Sequence, residues 1–455
     1  MDKISKQLVR YASGFEAGHL SASALTAASA LLFDTVACGV AGCTSAPAQM
    51  VARLAGNVQA TSGATLIGGA PTSPELAALA NTMMVRTYDY NDAYYGHPSD
   101  MIPGVLAAGE MVHASGMDVL ASIALAYEVY AAFARSAPYH LDSWLDQGVF
   151  MNVAVALAVG RLWRLNEEQL ANAASLALVP NLPLGVSRWG TLSMMKGCAT
   201  AFAVRNGVFA AMLAREGFTS APEPYEGTFG LHKAIGPFDL RLPVDPDMRV
   251  VEMAYIKPIP AENNTIGLLE LAPEIRAWTS IDAIDSIDIE LATGLEIHLA
   301  DASKYDPKTR ESADHSLPYM LARALVDGAI TLGTYAPDKV SDASIRPLMN
   351  KIRVSPNAEM KAMMRASIGA EAKPANIRVQ AGGKTFARTL LGHSGHPERP
   401  AQERQAVLDR KLDLCAAHSG IGDPQRERIR EAFRSVAEVK DISQSMKTLA
   451  GLRAL

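Results

Sequence analysis

The densest gathering of groups able to exchange protons or hold charge is YDYNDAYYGHPSD, residues 88–100, where one imidazole, His97, stands among Asp89, Asn91, Asp92 and Asp100. Pro98 stiffens the chain beside His97, and Gly96 permits an unusual backbone angle just before it. That combination holds a ring still in a loop between helices, as an acid or base working near neutral pH requires. The plainer reading is that Asp89, Asn91 and Asp92 cap helix ends and that His97 is a packed, hydrogen-bonded ring.

Three further segments carry candidate chemistry. In SRWGTLSMMKGCATAFAVRNG, from residue 187, Lys196 stands at or near the start of a long apolar helix. A cation there opposes the helix dipole, so something must offset it; a bound anion would, since amides at a helix start together with a lysine make a carboxylate site. A solvated surface lysine is the alternative. In KYDPKTRESADHSLPYMLARALVDG, residues 304–328, Ser316 is suited to cap a helix that tolerates Pro318 in its first turn and stops at Gly328. Asp314, His315 and Tyr319 then gather at that helix start, with Asp314 read as a cap. In AYIKPIPAENNTIG, residues 254–267, Lys257 precedes two prolines at a change of sequence texture. Clefts between domains are common ligand sites, although alone this segment reads as a linker.

Nucleotide and zinc-protease signatures of the G-x-G-x-x-G, G-x-x-x-x-G-K-[ST] and H-E-x-x-H kinds are missing. Ser193-Met194-Met195-Lys196 fits the S-x-x-K of Ser-Lys acyl hydrolases, but the S-D-N and K-T-G elements that should accompany it are not found.

The elements that must position these groups are mostly helical. Leu25, Ala28, Leu32 and Val36 recur at one-face spacing, and similar runs follow at 104–114, 118–135, 149–163, 167–178 and 197–216. After the Pro-rich stretch 236–260 the texture changes. Ile284, Ile287 and Ile289, KIRV at 351–354 and NIRVQAGGKTFARTLL at 376–391 read as strands, with helices expected at 262–278, 316–327 and 357–367. Residues 255–398 therefore look like a small α+β unit, and the helical tail from Ala401, with Val407, Leu408, Leu412 and Cys415 on one face, is expected to return to the first domain.

Composition sets the outer bounds. A chain of 455 residues exceeds what one core usually serves, and 49 % apolar with only 6 % aromatic residues favours close-packed helices over a β-sandwich. With 42 basic against 47 acidic residues there is no basic stripe for nucleic acid. The four cysteines lack paired spacing, so reduced thiols and a cytoplasmic location are expected. The charged start MDKISKQLVRY does not read as a secretory signal, and Ala24 to Cys43, interrupted by Asp34, is read as a buried core helix rather than a membrane span.

Taken in order, the four segments resemble the MmgE/PrpD family over nearly the whole chain. YDYNDAYYGHPSD is similar to the family's D-F-N-D-T…G-H-P-S-D loop. SMMKGCATAFAVRNGVFAAMLAREGFTSAPEPYEGTFG is similar to its K-x-x-x-A…E-G block, and ADHSLPY to its central motif. The resemblance implies a mainly α fold, with an all-helical domain of residues 1–254 plus 399–455 and an inserted α+β lid of residues 255–398. It also implies a homodimer, no metal or cofactor, and a dehydratase removing water from a small polycarboxylate such as 2-methylcitrate. Carried over by residue, it points to His97, Lys196 and Tyr319 as catalytic and to Asp89, Asn91, Gln147, Lys257, Asn264 and His315 as substrate-binding.

Three positions depart from the family pattern. WLDQGVF places Gln147, and AENNTI places Asn264, where relatives carry histidine, and Ala93 replaces a threonine. Amides hydrogen-bond substrates but do not shuttle protons at neutral pH. An isomerase, epimerase or decarboxylase working with one base, or a polycarboxylate-binding relative without catalysis, are therefore the alternative expectations.

Overall fold

A computed structural model describes residues 1–58, 60, 63–138, 144–243, 249–367 and 372–452. Helices dominate the described residues. The first part of the chain supplies α1 (Lys3–Ser13), α2 (Ala22–Gly42), α3 (Ala46–Gly56), α4 (Pro74–Arg86), α5 (Ile102–Met111), α6 (Gly116–Ser136), α7 (Gly148–Leu162), α8 (Glu167–Leu178) and α9 (Met195–Arg215). Their starts follow capping chemistry: Asp2, Ser21, Ser115 and Asn166 each accept a backbone N–H of the first turn. Small residues let the axes approach. A Cβ at Gly207 on α9 would lie 2.6 Å from the Asn152 carbonyl of α7, so only glycine fits there.

Two hydrophobic cores form. One is built from residues of 4–256, joined by Leu332 and by residues 408–449 of the tail; the other draws on residues 261–386. The second holds a four-stranded sheet of order β2-β1-β3-β4, with β1 (Ile284–Ala292), β2 (Ile352–Asn357), β3 (Ala375–Ala381) and β4 (Lys384–Leu390). β1 pairs parallel with β2 and antiparallel with β3, and β3 turns back into β4. Ile287, Ile289 and Leu291 alternate inward, and a register shift between Ile284 and Ser286 brings Ile284 to the same face despite its odd spacing. The long strand region expected at 376–391 is thus a hairpin, and the helix expected at 262–278 is two short ones, Ile266–Leu269 and Ala272–Trp278, broken before Pro273. α10 (Leu317–Asp327) starts on Ser316, whose Oγ accepts from the Tyr319 N–H at 3.0 Å, and stops at Gly328.

The tail helices α11 (Ala401–His418) and α12 (Asp423–Arg434) complete the first core. Lys411 on α11 is fully buried. It reaches Asp34 Oδ1 on α2 at 2.6 Å and donates to the carbonyls of Tyr90 at 2.5 Å and Lys257 at 3.2 Å. One cation therefore ties α2, the loop 88–100 and the segment before Pro258. Ala93 and Tyr255 exchange backbone hydrogen bonds at 3.0 and 2.9 Å, fastening the same two segments. α2, α6 and α9 are long and apolar enough to cross a membrane by length and composition, and most of each apolar stretch is buried inside the protein's own core.

Candidate active site

Where the two cores meet, charged side chains collect around Asp89. This residue follows the end of α4 with φ +49, a left-handed backbone that few side chains other than Asp and Asn adopt readily. Arg86, one turn earlier, donates to its Oδ1. Lys257 Nζ lies 3.1 Å from the same oxygen and donates to the Asp89 carbonyl at 2.7 Å, and His97 Nε2 is 3.3 Å away. All four side chains are essentially out of solvent. Burial alone would raise the Asp89 carboxyl, but Arg86, Lys257 and Lys196 outweigh it and hold it well below the usual carboxylate range. Its other oxygen, Oδ2, accepts no hydrogen bond among the described residues. That oxygen lies 3.9 Å from both Lys196 Nζ and His315 Nδ1.

His97 is oriented from behind. Its Nδ1 is 2.6 Å from the Asp92 carbonyl oxygen, and because a carbonyl only accepts, Nδ1 carries the proton. Burial, Arg86 and Lys257 hold the ring neutral, so Nε2 presents a lone pair toward the Asp89 side. Gly96 makes this placement possible. It sits at φ +154, and a Cβ there would collide with the side chains of Gln147 and Tyr130. Asp92 braces the turn by accepting from the Ser99 N–H at 3.0 Å and from Tyr127 at 2.8 Å.

Lys196 enters from the first turn of α9. Its anion is supplied by the protein: Nζ reaches Asp314 Oδ1 at 2.6 Å. His315 Nδ1 lies 2.7 Å from the same oxygen and 3.0 Å from Nζ, and since a carboxylate only accepts, both nitrogens donate to it. Burial, opposed by Asp314 and Asp89, brings Lys196 down to about 8, while burial and Lys196 bring His315 down to about 4. Arg310 Nη1 holds the far Asp314 oxygen at 3.2 Å. A clamp between the cores sets this meeting: the Leu192 N–H donates to Ser312 Oγ at 3.0 Å, and Thr309 Oγ1 donates to the Leu192 carbonyl at 2.8 Å. Asp89, Asp314 and His315 have the grouping of metal ligands, yet the same atoms surround the Lys196 ammonium, which is the cation of that cage.

Two family descriptions cover most of the sequence: the MmgE/PrpD N-terminal domain over residues 6–239 and the MmgE/PrpD C-terminal domain over residues 260–437. The chain belongs to the MmgE/PrpD family. It is 27 % identical over 382 residues to 2-methylcitrate dehydratase of Cupriavidus necator, 77 % of each chain. It is 27 % identical over 303 residues to 2-methylcitrate dehydratase of Escherichia coli (strain K12), 61 % of this chain and 62 % of that one. It is 22 % identical over 392 residues to cis-aconitate decarboxylase of Aspergillus terreus, 78 % and 79 % of the two. Relatives of these names support an enzyme with a dehydratase-family function.

Within this MmgE/PrpD chain the expected site residues separate into two groups. Asp89, His97, Lys196, Lys257 and His315 come together as described. Gln147 reaches the turn at Gly96, one residue from His97. Asn91 caps no helix; its Nδ2 donates to Ser99 Oγ at 2.7 Å and to Asp100 Oδ1 at 2.8 Å, and Asp100 Oδ2 lies 3.6 Å from Arg86 Nε. Asn264 donates to Glu262 at 2.7 Å. Tyr319, expected to be catalytic, lies in the second core. Its hydroxyl donates to the Thr334 carbonyl at 2.7 Å, and its ring is fully buried in the second core, packed near Tyr335 and Arg323. Lys196 turns to Asp314, and the exposed Ser193 accepts instead from the Met195 N–H at 3.3 Å, so no Ser-Lys pair forms. Arg86 and Asp314 are the residues that sequence reasoning missed. Arg86 sits three residues before Asp89, a spacing that brings side chains together on one turn. Asp314 adjoins His315, and its place before Ser316 reads as a cap in the sequence.

Proposed function

We propose that this protein is a hydro-lyase that removes water from a small polycarboxylate of the 2-methylcitrate kind, with residues 255–398 acting as a lid over the site. The observation that carries this reading is the His97 ring. It is held neutral with its Nε2 lone pair toward a buried carboxylate that Arg86, Lys257 and Lys196 surround. In this reading His97 Nε2 takes the proton from the carbon beside a substrate carboxylate. The negative charge that builds on that carboxylate is met by the preorganised Lys196 and Lys257 ammoniums. Lys196, at about 8, is protonated at neutral pH and gives the departing hydroxyl its proton. The carbon–oxygen bond breaks, a carbon–carbon double bond forms, and water leaves. The chemistry asked of these groups is proton transfer and charge stabilisation, with Lys196 supplying the cation at the Asp89–Asp314–His315 cage.

A second reading, decarboxylation or isomerisation with one base, draws on the two amides, Gln147 and Asn264. Proton NMR of chelator-treated protein with 2-methylcitrate isomers, citrate and cis-aconitate in deuterated buffer separates the readings. A 2-methylaconitate signal supports dehydration, and loss of carbon dioxide supports decarboxylation. Absence of both product and deuterium exchange overturns catalysis on these acids.

A further inference from the structure

One imidazole at this site makes no hydrogen bond among the described residues. His298, on the short helix Leu295–Ala300 after β1, is half-buried, and among the described residues neither of its ring nitrogens makes a hydrogen bond. Its ring meets His315 edge-on, with centroids 5.2 Å apart at 87°, and meets Trp189 at 6.0 Å and 70°. Trp189 belongs to the segment leading into α9. Around it stand Lys304, whose Nζ donates to the Gly190 carbonyl at 3.0 Å, and Arg188, which holds Asp146 at 2.7 Å beside Gln147. Burial, together with His315, Lys304, Lys196 and Arg188, keeps the His298 ring neutral.

We propose that His298 is a substrate-contacting residue, its neutral ring donating an N–H to a carboxylate or hydroxyl of the bound polycarboxylate. The inference rests on the functional reading above and adds a residue to it. Neither ring nitrogen is committed to a protein group among the described residues, so an N–H is free for a ligand oxygen without breaking a hydrogen bond inside the protein. Trp189 and His315 preset the plane of the ring, so little orientational freedom is lost when the ligand arrives. Nothing in the spacing of TGLEIHLA points to this role; it comes from the edge-on contact with His315.

His298→Phe keeps a ring against Trp189 and His315 but deletes the N–H, whereas His298→Gln keeps a donor. Steady-state kinetics on the acid that the NMR screen finds, and calorimetric binding of tricarballylate, read the effect. His298→Phe is expected to raise KM and Kd about tenfold or more with kcat within about threefold, and His298→Gln to recover most of the loss. In the unmodified protein, tricarballylate is expected to protect His298 from diethylpyrocarbonate, read by peptide mass spectrometry, which decides the matter even where His298→Phe does not fold. Unchanged KM and Kd in a folded His298→Phe, or equal labelling of His298 with and without ligand, overturns the inference while leaving the lyase reading intact. A wild-type protein that neither binds nor converts any of the acids overturns both.

Discussion

Lys196 Nζ and Asp314 Oδ1 meet at 2.6 Å between the two hydrophobic cores, although 118 positions separate them in the chain. Both side chains are buried, so each is the main reason the other can stay charged. Asp314→Ala leaves the buried ammonium only the more distant Asp89 and is expected to cost about 3–5 kcal/mol, whereas the double change Lys196→Met with Asp314→Leu regains most of that stability without activity. Thermal unfolding and turnover measured on the same three proteins check this. A wild-type melting temperature for Asp314→Ala would remove Asp314 from the role of counter-ion.

The same pair sets a pH dependence. Lys196, lowered to about 8, serves as proton donor only while protonated, so kcat is expected to fall as pH rises through about 8. Asp314 raises the Lys196 pKa, and Asp314→Asn therefore moves this alkaline limb to lower pH. For stability the sign is opposite. Between about 8 and the unfolded lysine value the unfolded chain binds more protons, so the contribution of Lys196 to stability grows with pH in that window. A pH–rate profile with no limb between 7 and 9 would exclude Lys196 as the donor.

His97→Ala is expected to lower kcat by about 10²–10⁴ while leaving the fold in place, since the ring contributes one hydrogen bond to the Asp92 carbonyl. Circular dichroism and turnover on the same preparation decide it. Normal activity in a folded His97→Ala would displace the base from this position.

Gly96→Ala tests the placement of that base without touching it. The new Cβ meets Gln147 and Tyr130 at a backbone angle that suits glycine, so the turn must shift and carry His97 with it. The expected outcome is a large loss of kcat with a melting temperature reduced by only a few degrees, corresponding to about 1–2 kcal/mol. Full activity would show that the ring tolerates displacement.

Asp34→Ala acts from outside the site. It strands Lys411, which also holds the carbonyls of Tyr90 and Lys257, and is expected to destabilise the protein by about 3–5 kcal/mol. Activity should fall in parallel with the folded fraction. Stability unchanged in chemical denaturation would mean that the tail helix α11 is held by its apolar face alone.

Local chemistry was legible at particular residues. Ser316 and Gly328 bound α10 as read, because a hydroxyl cap and a left-handed glycine act within one turn of chain. Ile287 and Ile289 declared a strand by their alternation, and the apolar face of the tail declared that it would be buried. Gly96 and Pro98 around His97 signalled a fixed ring, which the Asp92 carbonyl supplies.

What the sequence by itself determined is the run of helices, the change to strands after the prolines, and most of the charged residues of the site, since periodicity, capping and local motifs depend on neighbours a few residues away. Tertiary structure alone decided which charges meet. Lys196 could have sought a ligand anion or solvent, and it found Asp314; Tyr319 lies one turn along from His315, and its hydroxyl went to Thr334 inside the second core. Those outcomes depend on how two cores dock, and docking brings together groups more than a hundred residues apart whose pairing no local spacing records.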